Sequence, residues 1–289
     1  MGILIDKTNK VVVYGISGKY GSNQVQGMLN YGTDVVAGVT PGRGGQKVHG
    51  IPVYDTLTEV MEKHAADTVI LYVPGLAVKD AAIEAINLGM KLIMIATEGV
   101  PLHDMMLIKE MAKEKGSWLL GANTIGIINP GECLVGSLAP GYAKKGSVGV
   151  VARGGTVTIE MIRMLSEAGL GQSTCVGAGG DKVLGRNLLD YLQLFEQDPE
   201  TKAVVLIGEI GGQKENECAE YIKSMSKPVY FYLLGRTAPE GARMGHIGSI
   251  IAGASESFMA KRERAAKAGA ILIDTPWHLI ELLKEAGVT

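Results

Sequence analysis

Cysteine is scarce in this chain, and the way it is distributed excludes more than it offers. Cys133, Cys175 and Cys218 are odd in number, widely spaced and without paired histidines nearby, which argues against a disulfide framework and a zinc site and leaves three free thiols. No metal site is expected. Long apolar runs are also missing: nothing reaches the ~18 residues needed to span a bilayer, and residues 1–10 carry the acidic Asp6 without an apolar stretch of signal-peptide length. No membrane partner is expected, and the cytoplasm, or the mitochondrial matrix in a eukaryote, is the expected location. The formal charge is only −2, and no stretch interleaves clustered Lys/Arg with aromatics, so nucleic acid is excluded as a partner. A G-x-x-x-x-G-K-[ST] phosphate loop is absent as well, which leaves a nucleoside triphosphate without a recognisable site here.

Glycine is what the chain has in excess. It supplies 40 of 289 residues, about twice its usual ~7% share, so many backbone positions are expected in tight turns or against ligands. The length exceeds what one hydrophobic core usually organises, and two domains of roughly 120 to 160 residues are expected.

Short β-branched runs alternate with helix-length amphipathic segments from end to end, the pattern of βαβ units around parallel sheets. In the first half the periodicity predicts strands at 11–14, 34–39, 68–72, 91–95 and 118–120, with helices at 21–31, 56–64, 77–88 and 102–115. In the second half it predicts strands at 147–152, 173–177, 203–207, 229–233 and 270–273, with helices at 155–168, 188–195, 214–225, 255–268 and 276–286. Between them, residues 121–146 are rich in Gly, Pro and Asn with weak periodicity, as a linker would be. The fold class expected is α/β: a Rossmann-like domain over 1–122, a linker or interdomain segment over 123–146, and a flavodoxin-like doubly wound domain over 147–289.

The first strand hands over to a helix through Gly15-Ile16-Ser17-Gly18-Lys19-Tyr20-Gly21, where free N–H groups and the positive helix end suit a phosphate. A plain turn would use the same glycines for positive φ, so the loop alone has two readings. A dinucleotide site normally places Asp or Glu at the end of the second strand to hold a ribose diol. Here that strand ends Ala37-Gly38-Val39-Thr40 and runs into Pro41-Gly42-Arg43-Gly44-Gly45-Gln46-Lys47. The acid is missing and cations follow. Arg43 and Lys47 suit a ligand with an extra phosphate, such as NADP or the 3′-phosphorylated ADP part of CoA; a solvated loop charge is the other reading of Arg43.

Of five histidines, only His246 lies in a dense glycine setting, 235–248, which follows a predicted strand and so sits where open α/β sheets bind ligands. In Leu206-Ile207-Gly208-Glu209-Ile210-Gly211-Gly212, a single carboxylate is embedded among apolar residues and glycines, where burial is costly without a donor. An imidazole N–H is a good one: a carboxylate on one ring nitrogen fixes the tautomer and frees the other to attack a phosphoryl group. Loop amides are the alternative partners of Glu209. The segment Val151-Ala152-Arg153-Gly154-Gly155-Thr156 passes from strand to helix through glycines and offers a further anion site. A phosphorylated side chain carries about two negative charges against about half a positive charge at one helix end, so Arg153 and a second helix end are expected to help.

These motifs, with Thr97-Glu98-Gly99 and Gly177-Ala178-Gly179-Gly180-Asp181, resemble the alpha subunit of the succinyl-CoA synthetase family along nearly the whole chain. The resemblance implies a CoA-binding domain followed by a ligase domain. It implies that CoA is surrounded by Ser17, Gly18, Lys19 and Tyr20, by Pro41 and Arg43, by Tyr72, Val73 and Pro74, by Ile95, Ala96, Thr97 and Glu98, and by Asn123. It also implies that His246 is the phosphorylated residue, that Glu209 orients it, and that Arg153, Gly154, Gly155 and Thr156 bind the phosphate. The implied partner is a beta subunit with an ATP-grasp domain that holds ATP or GTP with Mg, in an αβ or α2β2 assembly, and the implied substrate is a small carboxylic acid.

The chain departs from the family at several places. The family commonly reads Ser-Arg-Ser-Gly-Thr at the phosphate helix, where Ala152 and Gly154 stand here and remove two hydroxyl donors; Lys commonly stands where Arg43 does. Asn123-Thr124-Ile125-Gly126 and the segment 254–261 lean toward ATP-citrate lyase. The acid therefore stays open among succinate, malate, citrate and similar compounds, with succinate expected. An NADP-linked oxidoreductase and a CoA-sensing protein without turnover are the rival readings.

Overall fold

The computed structural model describes residues 2–138 and 140–288. Met1 and Thr289, the outer ends of the two expected domains, and Ala139 in the expected linker lie outside the described residues. The first half runs β1 (Lys10–Tyr14), α1 (Lys19–Tyr31), β2 (Asp34–Val39), β3 (Lys47–Val48), β4 (Ile51–Tyr54), α2 (Leu57–Lys63), β5 (Thr68–Leu71), α3 (Val78–Asn87), β6 (Leu92–Ile95), α4 (Leu102–Lys115) and β7 (Trp118–Gly121). The second continues β8 (Gly126–Asn129), β9 (Cys133–Gly136), β10 (Lys145–Ala152), α5 (Gly155–Glu167), β11 (Gln172–Gly177), α6 (Leu188–Gln197), β12 (Ala203–Glu209), α7 (Lys214–Ile222), β13 (Val229–Leu234), α8 (Phe258–Lys267), β14 (Ile271–Ile273) and α9 (Pro276–Glu285).

Two seven-stranded sheets result, ordered β3-β4-β2-β1-β5-β6-β7 and β14-β13-β12-β10-β11-β8-β9. The central strands are buried along their whole length, as TVIL, LIMI and AVVLIGE, because crossover helices cover both faces of a parallel sheet. Local chemistry sets the helix ends. Thr56, Ser257 and Thr275 accept a backbone N–H as N-caps, Asn187 and Asp190 form a capping box, and Gly32 and Gly116 close α1 and α4 in the left-handed conformation.

Two strand pairs lie outside the predicted elements. The stretch read as a linker carries β8 and β9, an antiparallel pair that extends the second sheet beside β11. Its register looked weak because the strands are only four residues long and interrupted by Gly and Pro. The β3–β4 hairpin after the Arg43 loop also escaped periodicity, since two- and four-residue strands show too little alternation. Strand β9 packs against α1 and the turn that follows it, where Thr33 Oγ1 donates to the Leu134 carbonyl at 2.7 Å and accepts from the Leu134 N–H at 3.1 Å. One hydrophobic cluster therefore runs from Val11 and Met28 through Leu134 to Phe195 and Leu283. Among the described residues no helix is long and apolar enough to cross a membrane.

Each sheet reverses its winding direction once. In the first the switch falls between β1 and β5, in the second between β10 and β12. Open α/β sheets bind ligands in the crevice at such points, and the loops there are Gly15–Gly18 with Tyr72–Pro74, and Arg153–Gly154 with Glu209–Gly212.

Candidate active site

Glu209 is the last residue of β12, and His246 reaches it from the loop between β13 and the short turn Ala254–Glu256. Reverse turns build that loop: Ser249 donates its N–H to the His246 carbonyl at 3.1 Å and Met244 to the Ser249 carbonyl at 2.9 Å. Gly211 is required beneath it. At φ 82° a side chain is strained, and a Cβ there would lie 2.6 Å from the backbone of Ile250.

The result is a directed imidazole. His246 Nδ1 lies 2.8 Å from Glu209 Oε2, and Nε2 has no hydrogen-bond partner among the described residues. The ring rests against Gly180, where an added Cβ would meet it at 2.7 Å, and stands close to Gly154, whose Cβ position is 3.6 Å from Cε1. Gly154 is the uncapped start of α5, at φ −91° and ψ 141°, so the helix points free amides toward the ring edge. Gly154, Gly155, Thr156, Glu209 and His246 line one cavity of about 330 Å³, walled on its apolar side by Val157, Leu234 and Met244.

The Glu209 hydrogen bond, outweighing burial, raises the His246 pKa above its ordinary 6.5. Burial works to raise the Glu209 pKa, but the His246 hydrogen bond and the Arg153 charge prevail and hold it below the ordinary carboxylate value. Arg153 is committed differently from the expectation. Its guanidinium is 1% exposed, 2.8 Å from Glu209 Oε1 and 3.4 Å from Glu215 Oε1. It braces the carboxylates under the ring instead of lying open at the helix start, because two buried anions need a cation more than a solvated site does.

The residues expected around CoA gather at the C-terminal edge of the first sheet. Ser17 donates its N–H to Thr40 Oγ1 at 3.3 Å and keeps a buried hydroxyl without a partner among the described residues. Gly18 is the N-cap of α1, Lys19 and Tyr20 are exposed, and Tyr20 meets Tyr72 edge-on at 5.3 Å. Pro41 and Arg43 ride an exposed turn that Asp55 fastens by accepting the Arg43 and Gly44 N–H groups. Thr97 Oγ1 donates to the Val73 carbonyl at 2.6 Å, beside exposed Pro74 and half-buried Ala96. Ile95 departs from the set: its side chain is fully buried in the core, so this position offers only backbone. Asn123, at φ 58°, donates its N–H to the Thr97 carbonyl and accepts from the Gly180 N–H, which joins this edge to the loop under His246. Glu98 and Arg243, 3.4 Å apart, and the Gly99 N–H on Asp181 Oδ2 at 3.1 Å make the same connection.

Reading the sequence missed Glu215 and Lys261 as parts of this site. Both are buried ionisable side chains on helices whose other charged residues are half-buried or exposed, and nothing in a single sequence separates one charge on a helix from the next. The three cysteines are free and buried, and desolvation pushes the Cys133 thiol up to about 12. Among the described residues no group of His, Cys, Asp and Glu could hold a metal ion.

A family model described as a CoA binding domain matches residues 6–99, and one described as CoA-ligase matches residues 151–271. The two modules in this order make the chain a component of a CoA ligase. It is 49% identical over 285 residues to succinate–CoA ligase [ADP-forming] subunit alpha 1 of Archaeoglobus fulgidus, covering 99% of this chain and 97% of that protein. It is 47% identical over 282 residues to the corresponding alpha subunit of Methanothermobacter thermautotrophicus, at 98% and 96% coverage. The chain belongs to the family of ADP-forming succinate–CoA ligase alpha subunits. An ADP-forming sulfoacetate-CoA ligase subunit of Acholeplasma is similar to it as well, 46% identical over 294 residues with 100% and 99% coverage. Among solved structures, ATP citrate lyase from Methanothrix soehngenii in complex with citrate and coenzyme A superposes with a TM-score of 0.90 at 23% identity. That match covers 99% of this chain and 52% of that one, so the chain spans about half its length and the likeness is one of fold.

Proposed function

We propose that the chain carries a phosphoryl group on His246 while an acid is converted to its CoA thioester. The observation that carries this reading is the 2.8 Å contact of Nδ1 with Glu209, which leaves Nε2 bare beside the amide start of α5. Nε2 attacks the γ-phosphorus of ATP or GTP; the N–P bond forms and the nucleoside diphosphate leaves. An oxygen of the acid's carboxylate then attacks that phosphorus, the N–P bond breaks and an acyl phosphate forms. The CoA sulfur attacks the acyl carbon, and inorganic phosphate leaves. Each step is an ordinary displacement, which is the benefit of a covalent carrier.

Ser17, Gly18, Lys19, Tyr20, Pro41, Arg43, Tyr72, Val73, Pro74, Ala96, Thr97, Glu98 and Asn123, with the backbone of Ile95, hold CoA in this reading. Gly154, Gly155 and Thr156 hold the phosphoryl group on His246. The nucleotide with its Mg belongs to a partner beta subunit with an ATP-grasp domain, in an αβ or α2β2 assembly. Charge supports that partner: phosphohistidine brings about two negative charges, one helix end offers about half a positive one, and Arg153 is already paired with two carboxylates. Succinate is the acid the family name favours. The sulfoacetate-CoA ligase relative, similar at 46%, makes an acid screen part of the test.

The chain copurified with its partner is incubated with γ-labelled ATP, and acid-labile label on protein is measured beside the variant His246→Asn. Label should appear in the parent and vanish in the variant. Unchanged acid-labile label in His246→Asn would overturn the assignment. Tight CoA binding with no label in the parent would favour a CoA-sensing role.

A further inference from the structure

At the end of β12 the backbone is held by side chains. Gly211 and Gly212, at φ 82° and 63°, turn the chain aside, and polar groups around Glu209 need partners from elsewhere. Lys261 on α8 donates from Nζ to the Glu209 carbonyl at 2.9 Å, to the Gly211 carbonyl at 2.7 Å and to Glu215 Oε2 at 2.5 Å. Glu215 on α7 accepts the Glu209 N–H at 3.1 Å and Arg153 Nη1 at 3.4 Å, both on Oε1. The Lys261, Glu215 and Arg153 side chains are 0%, 1% and 1% exposed. With Glu209, itself 8% exposed, they make two cations and two anions almost wholly withdrawn from solvent.

Such a group is expensive to assemble, and apolar residues of the same volume usually stabilise a fold as well or better. This one lies directly under the carboxylate that touches the His246 ring, and it grips that residue by its N–H, its carbonyl and its side chain. We propose that Glu215 and Lys261 are positioning residues: they fix Glu209, and through Glu209 the orientation and tautomer of His246. The inference rests on the phosphoryl-carrier reading for its purpose, and its geometry stands apart from that reading.

The two residues act with opposite signs. Without the Lys261 charge, two carboxylates share one guanidinium; Arg153 is drawn toward Glu215, and the excess negative charge favours imidazolium. Without the Glu215 charge, two cations face Glu209 alone and disfavour it. The other charged groups around the ring and its carboxylate, Arg153 after β10, Glu98 from the loop after β6, Asp181 from the loop after β11 and Lys214 at the start of α7, are left unsubstituted in every variant.

The full chain is labelled with ¹⁵N-histidine and the His246 titration is followed by NMR. The midpoint should fall by about one pH unit in Glu215→Gln and rise by about as much in Lys261→Met, and Lys261→Arg should return it toward the parent. With the partner present, both charge-removing variants should take acid-labile label about tenfold more slowly, with KM for CoA unchanged. A purely structural role does not produce opposite shifts. If Lys261→Met fails to fold, the isosteric Glu215→Gln decides: a folded Glu215→Gln protein with the parent's midpoint and labelling rate overturns the proposal. Should the parent take no label while the midpoints move as stated, the phosphoryl-carrier reading fails and the positioning role stands.

Discussion

In the proposed reaction His246 would attack phosphorus only when its ring is neutral, and Glu209 makes that state harder to reach while aiming it. The carboxylate raises the His246 pKa above 6.5, so phosphoryl transfer should fall as pH drops through that raised value. In Glu209→Gln the acid limb of the pH profile should move down toward pH 6.5. The plateau rate should drop about 10²-fold, because a neutral amide neither selects the tautomer nor stabilises the charged ring. Rates of acid-labile labelling from pH 5.5 to 9 check both parts; an unmoved acid limb would separate His246 from Glu209. The two members of the pair contribute to stability with opposite pH dependences. His246 contributes fully below 6.5 and loses the contribution as pH rises through its raised folded-state pKa. Glu209 contributes above its ordinary 4.5 and loses the contribution as pH falls through its lowered one.

At the scale of elements, α5 begins without a side-chain cap because Gly154 occupies its N-cap position. The family's serine would fit there: the backbone is extended, and a Cβ would stand 3.6 Å from His246 Cε1, an ordinary contact. Gly154→Ser should raise stability by a few tenths of a kcal/mol, about 1 °C in Tm, and should slow hydrolysis of the phosphorylated ring by adding a hydroxyl donor at the phosphate. Thermal melts and the decay of acid-labile label measure the two effects. A lower Tm would mean that the loop around His246 leaves no room for the hydroxymethyl group. The same helix illustrates what was legible: glycines marked the passage from strand to an uncapped helix start, whereas the direction of the Arg153 side chain was not written in Ala152-Arg153-Gly154.

Across the whole molecule, the segment expected to be a linker or interdomain stretch packs against both halves. Strand β9 belongs to the second sheet and packs against α1 of the first half, and the core runs through both. Scanning calorimetry should therefore show one cooperative transition with matching calorimetric and van't Hoff enthalpies; two resolved transitions would restore the linker reading. The exposed Glu98–Arg243 pair adds little to that coupling; beneath it Asn123 joins the halves through its backbone and Asp181 through its carboxylate, which accepts the Gly99 N–H.

By itself the sequence determined the alternation of strands and helices, the two glycine loops at strand ends, the missing ribose acid with Arg43 after it, and the pairing of one isolated carboxylate with one histidine in a glycine-rich loop. These are local signals: a period, a turn residue, a buried charge that needs a donor. Tertiary structure alone decided that Arg153 turns inward, that Glu215 and Lys261 lie under Glu209, and that β8 and β9 complete the second sheet. Those outcomes depend on which charges lose water when distant segments meet, and the free energy of that desolvation belongs to the packed fold and to no stretch of sequence.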